Sequence, residues 1–202
     1  METLKTDVDA TSFTDLLFNL ILGYAFLFII SFLLIQPIVK KAEVHTQAEF
    51  IIKITWPINN KDDVDVWLED PIGNLVFFRN KEQGLMHLDR DDLGNANDVV
   101  FLPDGSMIKY PYNQEIMTIR GFIPGEWILN LHMYTKRELG KITPVTVEMN
   151  KLNPNVRPII SRTIDMSEQF EEITIARLEM AGNGDIISID DLPKKLVKVG
   201  HP

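Results

Sequence analysis

A long apolar run near the N-terminus constrains this chain more than any other feature. In residues 16–35, only Asn19, Gly23, Tyr24 and Ser31 are neither aliphatic nor phenylalanine. At 1.5 Å per residue, such a segment is about 30 Å long as a helix, which matches the hydrocarbon core of a bilayer. Because a bilayer offers the backbone no hydrogen-bond partners, a helix is the structure expected there. We therefore predict a short tail over residues 1–12 and a membrane-spanning helix over residues 13–39.

The segment before the apolar run does not have the composition of a signal peptide. It holds Glu2, Lys5, Asp7 and Asp9, whereas a signal peptide begins with a basic region. The apolar run is also too long for a signal peptide, and no small-residue cleavage site follows it before Lys40. We expect an uncleaved membrane anchor, with a buried core helix as the alternative.

The residues after the anchor predict an all-β domain. A connector over residues 40–48 leads into residues 49–191, where apolar residues alternate with polar ones between turns rich in Gly, Pro, Asn and Asp. Residues 50–56 and 127–133 show this alternation, whereas residues 81–97 form a polar stretch without it. About nine short strands with no long amphipathic helix favour an antiparallel β-sandwich. Residues 192–202 are predicted to be a fraying tail.

The composition argues against several classes of function. The formal net charge is −9 and no basic patch occurs, so nucleic acid is not an expected partner. There is no cysteine, and the four histidines are not paired at the spacings typical of zinc sites. No nucleotide-binding glycine loop or nucleophile motif is present. We predict a protein that is not an enzyme and has no resident cofactor.

Asp15 is the acid that lies closest to the apolar run, and its role has two interpretations. Ser12 and Asp15 have the spacing of a capping box, with Ser12 as the helix cap and the acid favoured by the helix N-terminus. Alternatively, an acid inside the hydrocarbon region is costly, and such acids usually lie on an ion path. Asn19 follows one helical turn later on the same face and could help Asp15 to bind an ion.

The sequence FTDLLFNL at residues 13–20, with a short tail before it and a single helix followed by one soluble domain, resembles the ExbD, TolR and MotB family. Members of that family are the minor subunits of proton- or sodium-driven rotary motors in bacterial inner membranes. The resemblance implies that Asp15 carries the transported ion. It also implies that two copies of the chain lie within a pentameric ring of a MotA-, ExbB- or TolQ-like protein.

The soluble domain departs from the usual domains of that family. Its segments VDVWLEDPIG at residues 64–73 and GFIPGEW at residues 121–127 resemble bacterial extracytoplasmic β-sandwich modules. This resemblance implies a periplasmic domain that acts on an envelope partner other than the cell wall, with the N-terminus in the cytoplasm. Lys40 and Lys41 argue for the opposite orientation under the positive-inside rule. A membrane-anchored binding or adhesion module without ion transport is the alternative function.

Two further groups of residues in the soluble domain are candidates for contacts. Acids cluster in its loops, and Asp89, Asp91 and Asp92 are weak candidates for a calcium site, although their spacing is not that of an EF-hand. The alternative is that these acids are solvated turn residues. Trp56, Trp67 and Trp127 are expected to pack in the sandwich. Trp67 falls on the more polar face of its strand, so it could contact a second copy of the domain.

Overall fold

A computed structural model of the chain describes residues 3–35, 47–94 and 98–197. These residues belong to two compact units, Met1–His45 and Thr46–Pro202. The first unit contains one helix and the second contains only strands among its described residues. The predicted fold class, an N-terminal apolar helix followed by an all-antiparallel β domain, is therefore confirmed.

The helix α1 runs from Thr3 to Ile35 and has 33 residues. Its segment Thr11–Phe32 is long and apolar enough to cross a membrane, and every side chain in that segment is exposed. The helix begins well before the predicted start at residue 13, so most of the predicted N-terminal tail is helical. The predicted end of the helix, residues 36–39, and residues 40–46 of the connector lie outside the described residues.

Thirteen strands form the described part of the second unit. They are β1 (Phe50–Trp56), β2 (Asp63–Glu69), β3 (Leu75–Val76), β4 (Glu82–Gln83), β5 (Met86–Arg90), β6 (Val99–Phe101), β7 (Met107–Lys109), β8 (Asn113–Ile119), β9 (Gly125–Thr135), β10 (Thr143–Lys151), β11 (Arg157–Met166), β12 (Glu172–Met180) and β13 (Ile186–Asp190). One sheet has six strands in the order β11-β10-β1-β8-β5-β4, and the other has five in the order β13-β12-β9-β2-β3. Strands β6 and β7 pair separately as a hairpin.

The core lies between the two larger sheets because their strands alternate between apolar and polar side chains. In β1, Ile52 and Ile54 are buried, whereas Lys53 between them is partly exposed and pairs with Glu148. Val147 of the neighbouring β10 lies opposite Ile54 in the register. The predicted core tryptophans Trp56 and Trp127 are both buried in this layer. The result is the β-sandwich that the alternation predicts.

The outer face of the five-stranded sheet is also covered, which the sequence did not indicate. Trp67 stacks on Phe77 with ring centroids 4.2 Å apart, and Leu196 packs on the same cluster. Trp67 is only 3% exposed, so the prediction that it contacts a second copy is wrong. The predicted fraying of residues 192–202 is also wrong for the described residues 192–197, because they include the buried Leu196. Residues 198–202 lie outside the described residues.

Several strands differ from the prediction. The stretch over residues 81–97, expected to be polar and irregular, contains β4 and β5. Strand β3 has only two residues. Strands β6 and β7 form a separate hairpin over residues 99–109.

Candidate functional site

Asp15 and Asn19 lie one turn apart on α1, both with exposed side chains. Asp15 is the one charged residue of Thr11–Phe32, so it introduces a charge into a surface that is otherwise suited to lipid. Residues four positions apart share a helix face, so the carboxyl of Asp15 and the amide of Asn19 can bind the same ion. This pair is the candidate site of the helical unit.

The structure does not support the capping interpretation of Ser12. Because α1 begins at Thr3, Ser12 lies inside the helix, and its predicted role as the helix cap is wrong. Only the first four N–H groups of a helix lack helical partners, and Asp15 lies several turns beyond them. For the same reason, the helix N-terminus cannot account for an acid at position 15, since its effect is confined to the first turn.

The three predicted calcium ligands do not form one site. Asp89 accepts hydrogen bonds from Thr118 Oγ1 at 2.7 Å and Arg120 at 3.2 Å. Asp92 is buried and accepts from Arg90 at 2.9 Å. Asp91 directly follows β5 and pairs with a different cation, Lys81. Neighbouring positions in the sequence therefore face different partners, and the predicted trio is wrong as a set of ligands.

Asp91 instead joins a buried acidic cluster, which we define as Asp65, Asp91 and Glu115. One carboxylate oxygen from each of the three lies within 4.8 Å of the others. Asp65 lies on β2 of the five-stranded sheet, whereas Asp91 directly follows β5 and Glu115 lies on β8, both strands of the six-stranded sheet. The acidic cluster therefore bridges the two sheets.

Glu115 is held at the centre of the acidic cluster by the alternation of β8. Its neighbours at two-residue spacing, Asn113 and Met117, are also buried, so the glutamate side chain points between the sheets. One oxygen, Oε2, accepts a hydrogen bond of 2.7 Å from the backbone N–H of Val66. The other oxygen, Oε1, is buried and has no hydrogen-bond partner.

Burial makes the charges of this region costly. Burial, and then repulsion from Asp65, raises the pKa of Glu115 well above its usual range. Burial also raises the pKa of Asp65. The neighbouring Asp63 has a pKa raised to about 7, first by burial and then by Asp65. A carboxylate in this position is favoured only if a proton or a cation neutralises it.

His132 completes the surroundings of the acidic cluster. It lies opposite Asp65 in the pairing of β9 with β2. Its Nδ1 is 3.7 Å from Asp65 Oδ2, and neither atom has a hydrogen-bond partner. The side chain of His132 is 4% exposed.

Sequence reasoning named Asp91 but missed Asp65, Glu115 and His132 as members of one group. The four residues come from four strands or strand ends, so no spacing along the chain reveals their contact. The available signal was an isolated glutamate within the alternation of β8, at a position where the pattern requires an apolar residue.

Comparison with known proteins gives no match, whether with family models, with curated proteins or with solved structures.

Proposed function

We propose that this chain is the single-span subunit of a proton- or sodium-driven rotary motor in a bacterial inner membrane. The observation that carries the proposal is Asp15, the one charged residue of the exposed apolar segment Thr11–Phe32, about one helical turn inside that segment. With no capping role available to it there, an acid at this depth requires another explanation. Ion transport is the usual one.

In this proposal, a pentameric ring of a MotA-, ExbB- or TolQ-like protein surrounds two copies of α1 and covers their exposed faces. A proton or a sodium ion neutralises the carboxylate of Asp15 on one side of the membrane. The amide of Asn19 supplies a second oxygen or a hydrogen bond on the same face. Release of the ion to the other side restores the charge, and the change in charge drives the ring through one step.

The β domain then lies outside the cytoplasmic membrane and transmits force to an envelope partner. Its packing supports this role, since an extensive core and a covered outer sheet face make a rigid body. The N-terminus is cytoplasmic in this arrangement, and lipid covers whatever part of α1 the ring leaves free.

The first test substitutes Asp15 and measures transport. We expect Asp15→Asn to leave the complex assembled and to abolish ion flux in proteoliposomes that contain the chain and its ring partner under an imposed ion gradient. Asp9→Asn is the matched control, since it removes the same charge from the same helix outside Thr11–Phe32, and we expect it to retain flux. Full flux in Asp15→Asn would contradict the proposal.

The second test measures composition. A tagged chain purified in mild detergent should bring with it a multi-helix membrane protein, and native mass spectrometry should give five copies of that protein for every two of this chain. The proposal would be contradicted if the chain purified alone from its native membrane at every detergent concentration that preserves the fold of the β domain.

A membrane-anchored binding module without ion transport is the second candidate function. It is favoured by the hairpin β6–β7, where Val100, Phe101, Met107 and Ile108 are all exposed. Clusters of exposed apolar side chains are typical of contact surfaces. Under this function, Asp15→Asn would leave partner binding unchanged, whereas Phe101→Ser would weaken it.

A further inference from the structure

We propose that Asp65, Asp91 and Glu115 bind one divalent cation where β2 of the five-stranded sheet meets β5 and β8 of the six-stranded sheet. The site is separate from Asp15 and does not depend on the motor function. It belongs to a different unit of the chain, and its ligands come from strands of both larger sheets.

The spacing of the carboxylates fits one ion. Metal–oxygen bonds to common divalent cations are about 2.0 to 2.6 Å long, so two ligands on opposite sides of one ion are about 4 to 5 Å apart. The three oxygens of the acidic cluster lie within 4.8 Å of one another. An ion at their centre can therefore contact all three without a rearrangement of the strands.

Buried polar atoms without partners provide an independent indication of a ligand. Glu115 Oε1, Asp65 Oδ2 and His132 Nδ1 make no hydrogen bond in the described structure. Glu115 is 1% exposed, Asp65 2% and His132 4%. Buried polar groups are almost always paired, because an unpaired one loses its hydration and gains nothing in return. His132 is not itself an acid, and its unpaired Nδ1 lies 3.7 Å from Asp65 Oδ2, so a further buried polar atom faces the acidic cluster from the side of Asp65.

Among the described residues, lysine and arginine side chains pair with only one of the three acids of the acidic cluster. Lys81 Nζ contacts Asp91 Oδ2 at 2.7 Å from the solvent side, with about half of the lysine side chain exposed. Among the described residues, no lysine or arginine pairs with Asp65 or Glu115. A bound cation supplies the missing positive charge at the point where the three carboxylates converge.

The ligand set indicates the kind of cation. The three ligands are all carboxylate oxygens, and such ligands suit Mg²⁺, Ca²⁺ and Mn²⁺. Because the ligands come from both sheets, the ion joins the sheets directly. We therefore assign it a structural role, in which it stabilises the sandwich.

The experiment measures the melting midpoint of the full chain in detergent after removal of metals with EDTA and dialysis. Mn²⁺, Mg²⁺, Ca²⁺ and Zn²⁺ are then added separately. We expect one of the first three to raise the midpoint by about 5 to 10 °C at a hundredfold excess over its dissociation constant. Elemental analysis of the saturated protein should give one ion per chain.

Two variants test whether the ion binds at the proposed ligands. Glu115→Gln keeps the shape of the side chain, and we expect its affinity for the ion to fall at least about tenfold. Glu148→Gln makes the same change at a surface acid that pairs with Lys53, and we expect it to keep the full ion-dependent rise. If Glu115→Gln does not fold, Asp91→Asn serves instead, since its side chain lies at the solvent side of the acidic cluster.

Two results would overturn the proposal. In the first, none of the four cations binds to the full chain or changes its melting midpoint. The buried carboxyls are then neutralised by protons alone. In the second, an ion binds but the rise is the same in Glu115→Gln, Asp91→Asn and Glu148→Gln, which places the ion elsewhere. Neither result bears on Asp15, whose flux assay tests the motor proposal separately.

Discussion

At the scale of single residues, Asp62 shows how a buried acid in this domain is satisfied. Its carboxylate accepts hydrogen bonds from Lys136 Nζ at 2.6 Å, from the hydroxyl of Thr143, and from the backbone N–H groups of Arg137 and Glu138 at 2.7 Å each. The side chains of Asp62 and Lys136 are both almost fully buried. The contrast with Glu115, which has one oxygen unpaired, is the reason for assigning an ion to one acid and not to the other.

We expect Asp62→Asn to lower the free energy of unfolding by about 3 to 5 kcal/mol, because it leaves the buried ammonium of Lys136 without its counter-ion. Chemical denaturation of the full chain in detergent measures this change. Glu148→Gln is the control, since it breaks a pair with Lys53 that is substantially exposed, and such pairs contribute about 0 to 1 kcal/mol. Equal losses in the two variants would contradict the role of burial.

The effect of Asp62→Asn should also depend on pH. Burial alone would raise the pKa of Asp62, but the hydrogen bonds from Glu138, Lys136, Thr143 and Arg137 together lower the pKa below its ordinary 3.8. A lowered pKa in the folded state means that the ionised acid stabilises the fold above the ordinary pKa. That stability is lost as the pH falls through the lowered value. The difference between the wild type and the variant should therefore be constant near pH 6 and shrink below about pH 4.

At the scale of elements, the turn between β12 and β13 depends on one glycine. Gly184 has φ of 77°, a conformation that other residues rarely adopt, and a Cβ placed there would lie 2.2 Å from Phe122 Cε1. Its carbonyl oxygen also accepts a hydrogen bond of 2.9 Å from Lys151 Nζ. The turn is therefore fixed both by its backbone and by the ring beneath it.

We expect Gly184→Ala to destabilise the domain by roughly 1 to 3 kcal/mol, through backbone strain and displacement of the Phe122 ring. Gly182→Ala in the same turn is the matched control, since an added Cβ at Gly182 meets no atom within 4 Å. We expect that control to change stability by less than about 0.5 kcal/mol. Thermal melting of both variants makes the comparison, and a stable Gly184→Ala would show that the ring can move at little cost.

The sequence predicted the elements that have a strong alternating pattern. Strand β1 was expected to the residue, because it buries every second side chain. The alternation over residues 127–133 located the middle of β9, although that strand is two residues longer at each end and all seven of those residues are buried. Strand β5 was missed, since only Met86 and Leu88 alternate in it and charged residues surround them. Strand β4 has two exposed residues and no apolar pattern at all. Such strands are stabilised by pairing with neighbouring strands, and the periodicity of a single sequence gives no information on that pairing.

The sequence predicted one candidate site and missed the other, because only the first is formed by residues that are close along the chain. Asp15 and Asn19 are four residues apart on one helix, so the sequence alone places them together. Asp65 and Glu115 are 50 positions apart and on different sheets, and only the packing of the sandwich brings them into contact. The buried state of these acids was also missed, because aspartate and glutamate side chains are rarely fully buried.

At the scale of the whole molecule, the end of the chain closes the outer face of the five-stranded sheet. Leu196 packs against Trp67 and Ile128, and its backbone N–H donates to Glu172 Oε1 at 2.6 Å. Asn130 Nδ2 donates to the backbone carbonyl of Lys194 at 2.7 Å. A segment that reads as a polar tail is thus held by side chains from two strands of that sheet.

We expect Leu196→Ala to lower the free energy of unfolding by about 2 kcal/mol, near the lower end for a buried leucine because the cluster is small. Leu192→Ala is the matched control, since Leu192 is 60% exposed in the same segment, and we expect less than about 0.5 kcal/mol from it. Chemical denaturation measures both changes. Hydrogen exchange at the backbone amides of Leu196 and Val197 should become faster in Leu196→Ala and not in Leu192→Ala. Unchanged exchange in Leu196→Ala would contradict the packing of this segment against the five-stranded sheet.

The position of Asp15 near one end of the apolar segment determines which part of the ion's path depends on the membrane potential in the proposed motor. Asp15 lies four residues inside Thr11–Phe32, which is about 6 Å into a segment about 33 Å long. In a bilayer that this segment spans, an ion bound at Asp15 has crossed only about one fifth of the hydrocarbon layer from the N-terminal side. A membrane potential supplies about 2.3 kcal/mol per unit charge for each 100 mV across the whole layer. Most of that energy therefore acts on the ion between Asp15 and the C-terminal side, about four fifths of the layer, so the membrane potential should affect chiefly that part of the ion's path.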